Sequence, residues 1–190
     1  MQRASRQILL LVVAAVALGG CGHKSGPKEP AQAGSVSESA NDGRFKDPKH
    51  KFAIEYPQPW SERKPTGADD VVSLKRDDAK GEIAIAVPKL PPHIPGMIPL
   101  PSVEKGYVDD VKKRMKNVKE LESQPVKIAG AFGRRFVIEG DENGAKKKLA
   151  VLAIVKGDTL YIMTAECPES EFEETRGVFE QIARSWKWMD

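Results

Sequence analysis

The chain has 190 residues, with 30 Lys and Arg against 27 Asp and Glu, a formal net charge of +3. Thirty basic residues less Arg3 and Arg6 leaves 28 against 27, so the chain beyond its first six positions is almost neutral and carries no electrostatic footprint for nucleic acid. Of the two cysteines, Cys21 is expected to be committed to lipid, which leaves Cys167 without an intramolecular partner, so the folded part is expected to rely on an apolar core.

Arg3 and Arg6 open a charged leader, Ile8 to Leu18 form an uncharged apolar run, and Leu18-Gly19-Gly20 leads directly into Cys21. This is the layout of a bacterial lipoprotein signal peptide, with small residues at the cut and a thiol to receive a diacylglyceryl group. The flanking glycines give a peptidase access to the backbone. A transmembrane anchor is the competing reading, but the run is about half the ~20 residues a spanning helix needs. A plain secretory signal, with Cys21 an ordinary thiol, is the other. Each buried methylene contributes about 0.8 kcal/mol and one chain alone holds marginally, so diacylglycerol plus palmitate on Cys21 would fix the protein to a membrane. The expectation is a cell-envelope lipoprotein on the extracytoplasmic side. Gly22 follows the cysteine where an aspartate would signal inner-membrane retention, which favours an outer membrane facing the periplasm in a two-membrane cell.

Residues 1–20 are thus expected to be the leader, and 21–44 the lipidated cysteine with a tether. Gly, Pro, Ser and charge dominate that tether, and Val36 is its one sizeable aliphatic residue. Such a segment buries too little apolar surface to offset its ordering entropy. Residues 45–190 are enough for one core and form a single expected domain.

In that domain Phe52, Ile54 and Tyr56 alternate with Ala53 and Glu55, the period of a half-buried strand, which Pro57 and Pro59 stop. Trp60 starts a short extended piece. Val71–Leu74 and Glu82–Val87 read as strands around an Asp77–Gly81 turn. A proline-dense stretch from Pro88 to Pro101 holds six of the fourteen prolines. Ser102 reads as the cap of a helix with Glu104 in its first turn. Val103, Tyr107, Val111 and Met115 then mark its buried stripe. Strands follow at Val126–Ala129 and Phe132–Glu139, and Asn143-Gly144 suits the hairpin turn after them. Leu149–Val155 is apolar at every position, as in a central strand covered on both faces. Lys156-Gly157-Asp158 turns the chain into Leu160–Ala165. Ser170 and Glu173 read as a capping box for a closing helix whose stripe is Phe172, Phe179, Ile182, Ala183 and Trp186. Antiparallel strands with two segregated helices make an α+β domain.

Several of these residues carry a resemblance. Phe45-Lys46-Asp47-Pro48, Phe52 to Pro57 and Trp60 open the domain; Val126-Lys127-Ile128-Ala129-Gly130 precedes a long strand. Gly157-Asp158-Thr159-Leu160-Tyr161 opens the last strand, and Phe179, Ile182, Ser185 and Trp186 close the chain. In this order the chain resembles the PsbP-like superfamily, which includes the extrinsic oxygen-evolving protein of photosystem II, DcrB-like bacterial lipoproteins and a fungal Ran-binding import factor. The resemblance spans nearly all of 45–190. It implies an α/β/α sandwich around a central antiparallel sheet flanked by helices, and a noncatalytic module that binds or supports other proteins.

The candidate recognition surface is the proline-rich stretch. Proline lowers the ordering cost of a polyproline-like loop, which can then present Pro92, Ile94, Met97, Ile98 and Leu100 to a partner. The alternative is a strap whose aliphatic residues pack onto their own domain. Cys167 stands beside three glutamates, which oppose a reactive thiolate, and reads as a bystander. Glu169, Glu171, Glu173 and Glu174 lack the Asp/Asn and Gly pattern of a calcium loop. His23, His50 and His93 have no metal-ligand spacing. Lys146-Lys147-Lys148 and Lys112-Lys113-Arg114 read as solvated faces. No catalytic residue, metal or cofactor is therefore assigned. The expected role is an accessory or binding module held to the membrane through Cys21, with an unidentified protein partner and no nucleic acid. Its rivals are a hydrolase-like envelope enzyme with a dispersed site and a small-ligand carrier with an apolar pocket under the proline-rich loop.

Overall fold

The computed structural model describes residues 43–90 and 98–190. Leu18, Gly19, Gly20 and Cys21 lie outside the described residues, as do Pro92, Ile94 and Met97. The chain opens with a hairpin of β1 (Gly43–Asp47) and β2 (Phe52–Tyr56), followed by β3 (Ser61–Arg63), β4 (Asp70–Lys75) and β5 (Glu82–Ala86). Helix α1 (Leu100–Arg114) leads to four long strands, β6 (Lys116–Ile128), β7 (Ala131–Glu142), β8 (Ala145–Lys156) and β9 (Thr159–Pro168). Helix α2 (Phe172–Ser185) and the short β10 (Lys187–Trp188) close the fold.

All strand pairs are antiparallel. Seven strands form one sheet in the order β3-β4-β5-β9-β8-β7-β6, and β1-β2-β10 form a second. Strand β8 explains the layering. Leu149, Val151 and Ala153 belong to the core under α1, while Ala150, Leu152 and Ile154 belong to the core under α2 and the small sheet. Successive side chains of a strand point to opposite faces, so a run apolar at every position requires cover on both sides. The result is the expected α+β arrangement, with α1 on one face of the large sheet and α2 on the other.

The core under α2 is rich in rings. Phe52 stacks on Trp186 with centroids 4.6 Å apart, and Tyr161 meets both edge-on at 5.8 and 5.9 Å. Ser185 Oγ donates to Glu55 O at 3.0 Å and accepts from Glu55 N at 2.8 Å, which fastens the end of α2 to β2. The Asn143-Gly144 turn has φ of +53° and +80°, as two such residues permit.

Three local expectations are corrected. Ser102 does not cap α1: the helix starts at Leu100 with Pro99 before it and Pro101 in its first turn, where a missing N–H costs nothing. Glu104 is consequently a turn deeper, buried and paired with Arg134. Ser170 and Glu173 form no capping box, because Glu169–Glu171 make a 3₁₀ turn; Glu171 instead accepts backbone N–H groups of Lys80 and Gly81 at 3.0 and 3.1 Å. Strand β6 begins at Lys116, ten residues before Val126. Its first part, Lys116–Pro125, is an edge segment in which Val118 and Leu121 are the apolar residues among Lys, Asn, Glu, Ser, Gln and Pro, and its charges and bulges discourage pairing with another chain and break the apolar alternation.

Candidate functional site

Helix α1 covers β7 and β8, and among the described residues the far side of the same face is thinly covered. There β5 presents only Ala84 and Ala86, since Ile83 and Ile85 point to the other core. A cleft of about 120 Å³ opens between this strip and α1. The helix contributes Tyr107, Asp110, Val111 and Arg114, spaced i, i+3, i+4 and i+7 and hence on one helical face. Strand β9 contributes Ile162, Thr164 and Glu166, alternate residues of one sheet face, and Gly67 to Asp70 close the rim.

The polar groups are held firmly. Tyr107 Oη and Thr164 Oγ1 lie 2.9 Å apart. Arg114 donates to Glu166 at 2.9 Å and to Glu142 at 3.1 Å, and Lys147 donates to Glu166 at 2.9 Å and also to Glu142. Burial works against the Arg114 charge, but Glu166 and Glu142 outweigh it and hold the guanidinium above its usual pKa. Burial likewise disfavours the Glu142 carboxylate, and Lys147 more than offsets it, so that Glu142 titrates below the usual range. Asp70 accepts from the backbone N–H of Gly67 at 2.7 Å. One oxygen of Asp110 meets Lys113 at 2.5 Å, while its buried Oδ2 has no hydrogen-bond partner among the described residues.

The residues singled out from sequence do not converge here. Ile98 and Leu100 are half-buried against the core under α1, and Pro88, where the proline-rich stretch begins, lines the cleft. Cys167 is buried in β9, not at a helix start, and burial pushes its thiol up to about 11. The acidic set disperses: Glu169 pairs with Lys148 at 3.2 Å, Glu171 binds backbone, and Glu174 pairs with Arg76. No cluster of three His, Cys, Asp or Glu able to hold a metal occurs among the described residues. His50 Nδ1 lies 2.6 Å from Asp47 Oδ2. Of the two basic runs, Lys147 and Arg114 are turned into the ion-pair network. Sequence reasoning missed the cleft because its lining comes from four separate segments. The usable signal was the second stripe on α1, Tyr107, Asp110, Val111 and Arg114, beside the small residues Ala84 and Ala86 on β5.

The PsbP family model matches residues 41–188. The chain belongs to the PsbP family. A search of curated proteins finds no match. Among solved structures, this PsbP-family chain is similar to the cyanobacterial PsbP (CyanoP) of Synechocystis sp. PCC 6803, with 15% identity, TM-score 0.57, and 84% of this chain and 98% of that one covered. It is also similar to LpqN, involved in cell envelope biogenesis of Mycobacterium tuberculosis, with 12% identity, TM-score 0.56, and coverage of 78% and 92%. A Bacteroides thetaiotaomicron protein matches at 15% identity and TM-score 0.53, over 80% of this chain and 50% of its own. At such identities the likeness shows a shared fold. Among the described residues no helix is long and apolar enough to cross a membrane.

Proposed function

We propose that this PsbP-family domain is a noncatalytic accessory module that docks a partner protein at the cell envelope, carried there by acyl chains on Cys21. The observation that carries the reading is the run Leu18-Gly19-Gly20-Cys21 behind an uncharged apolar stretch and two arginines. The fold shared with LpqN, a protein of cell envelope biogenesis, supports the same compartment. In this reading residues 1–20 are removed, 21–44 tether the domain, and 45–190 do the binding. The tether reaches a few tens of Å, at roughly 5–6 Å times the square root of its length. The cleft supports docking over turnover. Its one guanidinium is engaged by two carboxylates, and its volume is below the roughly 300–1,000 Å³ of a typical small-molecule site.

Labelled palmitate tests the anchoring. The wild-type protein is expected to incorporate it and Cys21→Ser to lose it, with the mature chain starting at a lipidated residue 21 in mass spectrometry. Equal incorporation in both, or an intact leader on protein purified from cells, would refute the reading.

A further inference from the structure

We infer that the end of the domain bearing Phe132 and Trp188 rests on the anionic phospholipid surface of the membrane that anchors the chain, an inference that takes its compartment from the anchoring reading above. Four segments meet there: the turns 48–51, 129–130 and 157–158, and the end of β10. Trp188 Nε1 donates to Ala129 O at 3.0 Å, Met189 N to Lys51 O at 2.9 Å, and Tyr161 Oη to His50 O at 2.8 Å. Phe132 lies across from Val155, which in turn faces Leu160 just past the third turn. Phe132 is 68% exposed and Trp188 is half-buried, so both rings are open to what lies beyond the turns. Each has a lysine over it, with Lys127 Nζ 5.5 Å from the Phe132 centroid and Lys156 Nζ 5.5 Å from that of Trp188.

The placement of the rings favours a surface over a partner seated in a groove. Lys127 and Phe132 are on the α1 side of the large sheet, since the flanking Val126 and Ile128 pack onto the core under α2. Trp188 is on the other side, packed against that same core. A protein docking on one face would meet one ring, whereas a surface approached end-on meets both. Charge selects the chemistry of that surface. Lys49, Lys51, Lys127 and Lys156 are exposed and form no ion pair among the described residues, and Lys187 is 67% exposed beside Glu55. Asp158 and Asp190 are exposed at the same end, while Asp47 is turned inward onto the N–H groups of Lys49 and His50. Aromatic rings settle at headgroup level, and lysine stems lie along apolar surface while their ammonium groups reach phosphate. The local excess of positive charge suits an anionic bilayer although the chain as a whole is almost neutral. The anchor permits the approach. Gly43 stands at the far end of β1 from the 48–51 turn, about 17 Å away at ~3.4 Å per strand residue. Cys21 and Gly43 are 22 positions apart, a reach of about 25 Å for a coil of that length.

The test uses the chain from Cys21, which keeps both cores complete, coupled through that cysteine to a maleimide lipid; Cys167 is buried and does not compete. Vesicles of phosphatidylcholine with phosphatidylglycerol, and of phosphatidylcholine alone, carry brominated lipid as a tryptophan quencher. Trp60 and Trp186 are buried, so quenching reports Trp188. It is expected on the phosphatidylglycerol vesicles and to be several-fold weaker on the others. Lys127→Gln and Lys156→Gln should each lower the ratio of docked to free domain about fivefold, the scale of one lysine near a charged bilayer. Phe132→Ser should lower it as well. Lys80→Gln combined with Lys146→Gln removes two exposed lysines at the opposite end of the sheet and should leave the ratio unchanged. The emission of the two buried tryptophans shows whether each variant is folded. No quenching, equal quenching on both vesicles, or an equal fall in the Lys80 and Lys146 variant would overturn the inference. The maleimide lipid supplies the anchor, so a failed palmitate test in cells and a failed lipid contact are separate results.

Discussion

Phe52→Ala probes the ring cluster that joins β2 to α2. Phe52 is wholly buried, stacked on Trp186 at 4.6 Å, with Tyr161 at 5.8 Å and Phe45 at 5.9 Å. Truncating a buried Phe costs about 3–5 kcal/mol, from lost transfer energy and the cavity left behind. Ring geometry accounts for about 0.5–1.5 kcal/mol per pair beyond area. The expected loss is therefore about 4 kcal/mol, or roughly 8–16 °C in Tm for a domain of this size. Urea unfolding followed by far-UV circular dichroism measures it without relying on the fluorescence of the affected tryptophan. A cycle with Trp186→Leu isolates the stacking, and a coupling of about 1 kcal/mol is expected. A loss below about 1 kcal/mol, or additive single effects, would refute the claim that this stack ties the closing helix to the first hairpin.

Two further outcomes follow from the buried charges and the thiol. Lys147→Met removes one of two cations shared by Glu142 and Glu166, at an expected cost of about 2 kcal/mol near neutrality for a partly buried network. Glu142 is depressed in the folded state, so its contribution is present above the ordinary carboxylate pKa and lost as pH falls through the lower folded value. The gap between wild type and Lys147→Met should accordingly close on acidification, and a gap constant with pH in urea titrations would contradict the assignment. Cys167 behaves in the opposite sense. Burial raises its pKa from the ordinary 9.0 to about 11, so its contribution is whole below pH 9 and is lost between about 9 and 11. Cys167→Ala should flatten that alkaline decline, and the native thiol should react with a disulfide reagent at pH 8 at least a hundredfold more slowly than in urea; comparable rates would show that it is not buried.

What the sequence determined by itself was everything encoded in contiguous residues. The proposed anchoring at Cys21 rests on contiguous residues alone, two arginines and an apolar run before Leu18-Gly19-Gly20-Cys21, without reference to a fold. Alternation in Phe52–Tyr56 placed β2, the unbroken apolar run Leu149–Val155 placed a strand between two cores, and the four-residue recurrence from Val103 to Met115 placed the buried face of α1. These signals survive because burial on one or two faces leaves a period in the chain. Strand β6 left none in Lys116–Pro125, since an edge strand is selected to stay polar, and the two helix starts were settled by prolines and by distant backbone N–H groups instead of local caps. The cleft was decided by tertiary structure alone. Asp69, Asp110 and Glu166 are separated by tens of residues, and they share a rim because β5 pairs with β9 while α1 stops short of covering both. Charge convergence is a property of strand order and helix placement, and no local periodicity records it.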